Sequence, residues 1–130
     1  MPHYRARAHF NNRLGLFDVP QPDAAERARR AADHIPGISG YRKGDPLRPS
    51  QIMVEVDAAT PQAACDEVFR VLNEDERPNG QIEPSLSVGD LVALEAEHEG
   101  VTFAWFAVEA LGFRRVSPPA ASALAAAEQS

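Results

Sequence analysis

The sequence predicts a single α+β domain built on an antiparallel sheet of four to five strands. Three patterns support this class: short segments alternate apolar and polar residues, one helical segment has an apolar stripe, and turn signals separate them. With 130 residues, the chain can bury a core without disulfide bonds. We expect the domain to cover residues 1–116, and the Ala-, Pro- and Ser-rich residues 117–130 to form a disordered tail.

The first predicted strand is HYRARAHF, residues 3–10, in which every second residue is apolar or aromatic. This alternation indicates one buried face and one solvated face, with Arg5 and Arg7 on the solvated side. Two interpretations of the basic side remain open. It could contact phosphates, or its charges could protect an edge strand from aggregation.

A small helix is predicted next, over PDAAERARRAADH, beginning near Asp23. Its apolar face, which includes Ala24 and Ala28, consists of alanine and buries little area, so we expect weak packing over an edge of the sheet. The Gly- and Pro-rich residues 35–50 are predicted to be a loop.

A strand and the main helix follow. In QIMVEVD, the inward residues should be Ile52, Val54 and Val56. Thr60 can cap a helix whose first residue is Pro61, where the missing N–H costs nothing. The helix PQAACDEVFRVLN should end near Asn73 and pack on the sheet through a stripe at three- and four-residue spacing. That stripe is Ala64, Cys65, Val68, Phe69 and Leu72.

The segment PSLSVGDLVALE combines a turn with the start of a strand. Ser87-Val88-Gly89-Asp90 fits a type II turn, because its third position needs a positive φ that glycine adopts without strain. The carboxylate of Asp90 can accept backbone N–H bonds there. We therefore interpret Ser87, Gly89 and Asp90 as a structural turn.

The segment VTFAWFAVEAL should return as the antiparallel partner of that strand. It is apolar on both faces, with Phe103 and Trp105 on one and Phe106 and Val108 on the other, which favours a central place in the sheet. Gly112 should end this strand, and FRRV can form a last short one.

Composition and motifs exclude several classes of function. The net charge of −6 divides into +4 for residues 1–50 and −10 for residues 51–130. We find no apolar run of about 18 residues and no secretion signal, so we expect a cytoplasmic protein that does not bind membranes. The single cysteine and four dispersed histidines give no metal-ligand spacing. With no nucleophile motif or phosphate-binding loop, we expect neither an enzyme nor a cofactor or metal.

Two strings resemble a known family. SLSVGDLVAL, followed by a hairpin and FAVEALGF, is similar to the signature of YodL-like small bacterial proteins and related short proteins of actinobacterial plasmids, integrative elements and phages. The upstream VEVDAATPQAACDEVFRVLNED resembles the strand–helix unit that often precedes that signature. The resemblance covers residues 51–116 and implies an accessory or regulatory protein of a mobile genetic element.

We carry two hypotheses of function forward. The leading one is a protein–protein interaction module with an unknown protein partner, contacted through Phe103 and Trp105, because tryptophan is enriched at interface hot spots. The alternative is a nucleic-acid-binding module. It would resemble PUA-like or ASCH-like barrels, or use a basic face. The candidate phosphate contacts on that face are Arg5, Arg7, Arg13 and Arg42.

Overall fold

Six antiparallel strands form one sheet in the computed structural model, which describes residues 2–15, 17, 20, 22–32, 39–74, 83–96 and 102–120. Side chains of residues 31, 32, 96 and 103 are not described. The predicted α+β class is confirmed, although the sheet has more strands than the four to five expected. In chain order the elements are β1 (His3–Asn11), α1 (Ala24–Ala32), β2 (Leu47–Pro49), β3 (Val54–Asp57), α2 (Pro61–Leu72), β4 (Leu91–Ala96), β5 (Thr102–Glu109) and β6 (Gly112–Val116).

Strand β1 lies inside the sheet. One of its sides pairs with β4, and the other pairs with β2 and β3, which follow one another along the same edge. The charged-edge interpretation of β1 is therefore wrong. Beyond β4 the order continues with β5 and then β6, so β5 is internal, as its two apolar faces predicted.

Strand β2 was not predicted, because two prolines in DPLRPS made the segment resemble a loop. Its pairing is nevertheless clear: the N–H of Asn12 donates to the carbonyl of Pro46 at 2.8 Å, and that of Ser50 donates to Ala8 at 2.8 Å. Between β2 and β3, the carboxylate of Glu83 accepts the Ser50 hydroxyl at 2.6 Å. A side chain from a distant loop thus supports the break in this edge.

Helix α2 covers one face of the sheet and forms the main core with it. The hydroxyl of Thr60 accepts the N–H of Ala63 at 3.1 Å, and Asn73 caps the other end, as predicted. Phe69 departs from the prediction, since it is 37% exposed. The buried residues of this core include Tyr4, Ala6, Ala8, Phe10, Val54, Val56, Ala64, Cys65, Val68, Leu72, Val92, Leu94, Phe106 and Val108.

A second, smaller core lies on the opposite face. Tyr41, from the segment between α1 and β2, packs there against Leu47, Leu91 and Ala107. Leu91 lies on the face of β4 opposite to Val92 and Leu94, and the segment that contains Tyr41 covers it. Strand β4 is consequently buried on both faces.

Helix α1 begins as predicted and packs differently. The carboxylate of Asp23 accepts the N–H of Glu26 at 2.8 Å, which caps the first turn. Ala24 and Ala28 are both exposed, so the expected packing of their alanine face is wrong at these two positions. The predicted tail falls partly beyond the described residues: 117–120 have no regular secondary structure, and 121–130 are not described.

Candidate protein interaction edge

The Ser87–Asp90 turn has the predicted geometry. The N–H of Asp90 donates to the carbonyl of Ser87 at 3.1 Å, and Gly89 has φ +99°. The buried Asp90 carboxylate accepts the N–H of Ser87 at 2.9 Å and that of Asn11 at 2.8 Å. Burial raises the pKa of Asp90 to about 6, although these hydrogen bonds oppose the shift. The turn therefore joins β4 to β1, which is a structural role.

Arg13 does not lie on a basic surface. Its guanidinium makes a bidentate ion pair with Asp45, in which Nε is 2.9 Å from Oδ1 and Nη2 is 2.5 Å from Oδ2. The two side chains are only 9% and 8% exposed. Burial by itself raises the pKa of Asp45, but hydrogen bonds from Arg13, Arg42 N–H and Asn11 hold it below its ordinary value. This ion pair disfavours the predicted phosphate contact by Arg13, because Asp45 already neutralises the guanidinium charge.

The other three candidate arginines differ in their surroundings. Arg5 lies between Glu55 on β3 and Glu95 on β4, and its guanidinium is 3.8 Å from the Glu95 carboxylate. Arg7 donates to the carbonyl of Ser50 at 2.5 Å. Arg42 is exposed. Carboxylates on both neighbouring strands therefore weaken the basic stripe of β1 as a phosphate-binding surface.

The two aromatic candidates lie on β5. Trp105 is half-buried, and its ring centroid is 4.8 Å from that of His9. Burial, helped by the Arg7 charge, lowers the pKa of His9 to about 4, so its imidazole is neutral at pH 7. Phe103 lies within β5, but the structure does not describe its side chain. Trp105 packs beside Val116 against the smaller core, so it supports the sheet next to β6.

Among the described strands, β6 lies at an edge of the sheet. Of the described strands only β5 pairs with it, and Gly112, Arg114 and Arg115 are exposed. An edge strand presents unpaired N–H and C=O groups in a row, which is a template for another strand.

The direction of those groups follows from the register. Val108 accepts the N–H of Gly89 at 3.0 Å and donates to the carbonyl of Asp90 at 2.9 Å, so its main-chain groups point toward β4. Its partner on β6 is Phe113, and two residues along Phe106 pairs with Arg115. Backbone groups of successive residues alternate between the two sides of an antiparallel strand. Phe113 and Arg115 therefore direct their N–H and C=O groups away from β5.

Two crevices border this edge where α2 crosses it. One, of about 150 Å³, is lined partly by Phe69, Phe113 and Glu109. Phe69 and Phe113 are in edge-to-face contact, with ring centroids 6.2 Å apart. The other, of about 410 Å³, is lined by Thr60, Pro61, Gln62, Phe106 and Arg115.

The hairpin tip adds apolar surface beside the same edge. Leu111 is 97% exposed, next to the exposed Ala110. An isolated exposed leucine is common on proteins, but this one adjoins an open strand and a partly exposed aromatic pair. We define the interaction edge as β6 together with Leu111, Phe69 and the two crevices.

Sequence reasoning missed this site. FRRV was identified as a short strand, but local sequence does not show which strand is outermost in a sheet. The available signals were the adjacent Arg114 and Arg115, since charged residues are frequent on edge strands. Phe69 was placed in the core because its helical spacing puts it on the apolar face of α2. That spacing does not show how far the sheet extends under the helix.

The described residues offer little for metal or redox chemistry. None of their His, Cys, Asp and Glu side chains form a group of three that could hold a metal ion. Cys65 is buried, and burial raises the pKa of its thiol to about 12, so it is unreactive at pH 7. Within the described part of the chain, neither helix has the length and apolar character needed to cross a membrane.

Comparison of the chain with protein-family models, curated proteins and solved structures finds no match.

Proposed function

We propose that the protein is a non-enzymatic interaction module that binds an extended segment of a protein partner by adding it as a strand to β6. The observation that carries this proposal is the outward direction of the Phe113 and Arg115 main-chain groups on an exposed edge. In strand addition, main-chain hydrogen bonds provide affinity and crevices for alternate side chains provide specificity.

The surroundings of β6 fit this mode of binding. An added strand would direct every second side chain toward the α2 face, where the crevice of about 410 Å³ opens beside Arg115. At its other end, the strand would pass Phe113 and Phe69, which supply aromatic contact area. Trp105, which pairs in register with Val116, would stabilise the position of β6 and would not contact the partner directly.

The biological setting is a separate proposal. The resemblance to YodL-like proteins supports an accessory or regulatory role in a bacterial mobile genetic element. Conserved adjacency to plasmid replication, transfer or defence genes in related genomes would support this role. A neighbourhood of housekeeping genes would contradict it, whatever the binding mode of β6.

The test uses the full-length chain as bait for a phage library of random twelve-residue peptides. The affinities of selected peptides are then measured for Arg115→Val and Arg115→Pro. Both variants lose the charge, but proline alone removes the outward N–H, and it breaks no bond to β5. We expect Arg115→Pro to bind roughly tenfold more weakly than Arg115→Val, because one hydrogen bond is lost and the ring obstructs the approaching strand.

Matching thermal melting curves for the two variants would show that both fold. Equal affinities of folded Arg115→Val and Arg115→Pro would exclude strand addition at this edge. A library that yields no specific binders would also count against the proposal.

A further inference from the structure

Arg115 differs from its neighbour Arg114 in its interactions. Arg114 is paired with Glu109 at 3.0 Å and donates to the carbonyl of Tyr41 at 3.3 Å. Arg115 is exposed and forms no ion pair with any residue in the described part of the chain. Because Arg115 pairs in register with the buried Phe106, its side chain lies on the α2 face. There it lines the crevice of about 410 Å³ together with Thr60.

We infer that the partner strand carries an aspartate or glutamate next to Arg115, with its side chain on the α2 face. This inference rests on the proposed function and specifies the partner's chemistry. Opposite charges that face one another on adjacent strands attract, and like charges repel. A carboxylate at this position would pair with an arginine that has no ionic partner among the described residues, and the crevice has room for it.

The same charges disfavour a second copy of the chain as occupant. If two β6 strands paired antiparallel about a two-fold axis, a register centred on Arg115 would place Arg115 opposite Arg115 of the other copy, and a register centred on Arg114 would do the same for Arg114. Like charges directly opposite destabilise such a pair, and charged edges are a common means of preventing self-association. The edge is therefore suited to an acidic strand from another protein.

The experiment repeats the peptide selection on the full-length protein and on Arg115→Glu, with Lys43→Glu as control. Lys43 is exposed on the segment before β2, so its reversal changes the net charge equally without altering β6. We expect wild-type and Lys43→Glu to enrich peptides with Asp or Glu at one fixed position, and Arg115→Glu to enrich Lys or Arg there. A wild-type-selected peptide should lose roughly fivefold or more in affinity for Arg115→Glu.

The outcomes separate the two proposals. If peptides protect the β6 amides from exchange but show no acidic preference, or Arg115→Glu selects the same peptides, the inference is wrong and strand addition stands. If selected peptides leave the β6 amides unprotected, or no peptide is enriched, the proposed function fails and the inference fails with it. An equal loss for Lys43→Glu would show that general electrostatics explain the preference, which would also overturn the inference.

Discussion

The carboxylate of Asp90 accepts the backbone N–H of Asn11 at 2.8 Å, although the two residues are 79 positions apart in the chain. The same carboxylate accepts the N–H of Ser87. One side chain therefore closes the turn before β4 and connects this turn to the end of β1 by a hydrogen bond.

Replacing Asp90 should test this connection. Asp90→Ala leaves two backbone N–H groups without their acceptor, and we expect it to lower the free energy of unfolding by about 2 kcal/mol or more relative to Asp90→Asn. The asparagine variant keeps one acceptor oxygen and removes a buried charge. Urea denaturation at pH 7 measures the difference. Equal stabilities would show that the two hydrogen bonds contribute little.

Gly89 should tolerate few replacements, because its φ is +99°. We expect Gly89→Val to cost about 1–3 kcal/mol, since β-branched residues are strained at positive φ. Gly89→Asn should cost less, because asparagine enters this region more readily. Thermal melting of both variants checks the order. The turn assignment would be contradicted if valine were tolerated as well as asparagine.

As the pH falls, the contributions of His9 and Asp90 to the free energy of unfolding should change in opposite directions. The folded-state pKa of His9, about 4, is below its ordinary 6.5, so its contribution to stability falls as the pH drops through that interval. The pKa of Asp90, about 6, is above its ordinary 3.8, so its contribution rises as the pH drops from 6 toward 4.

Single variants should reveal each contribution. When the pH falls from 7 to 4.5, the free energy of unfolding of Asp90→Asn should decrease by about 2 kcal/mol more than that of wild type. The free energy of unfolding of His9→Phe should decrease by about 2 kcal/mol less than that of wild type. Urea titrations at both pH values measure these differences. Profiles parallel to that of the wild type would show that neither group titrates as described.

The exposure of Phe69 changes the stability expected of α2 variants. Leu72 is 1% exposed, so Leu72→Ala should cost about 2–5 kcal/mol. Phe69→Ala should cost less, about 1–2 kcal/mol, because the ring, which contacts Phe113, is partly in solvent. The opposite order in denaturant unfolding would mean that Phe69 belongs to the core after all.

Local sequence predicted the features that depend on neighbouring residues. The cap at Thr60, the start at Pro61 and the positive φ of Gly89 follow from steric and hydrogen-bonding rules within four residues. Strand β2, the pairing of Arg13 with Asp45 and the outermost position of β6 depend on contacts between distant segments. The candidate site belongs to this second group, because an edge is defined by the absence of a neighbour.

Amide hydrogen exchange along β6 tests the proposed function most directly. In the free protein, the amides of Arg114 and Val116 should exchange slowly because they face β5, whereas those of Phe113 and Arg115 should exchange fast. When a selected peptide is added, the Phe113 and Arg115 amides should become protected, and the protection of the other two should change little. Slow exchange of all four amides in the free monomer, or no added protection of Phe113 and Arg115 on binding, would contradict strand addition at this edge.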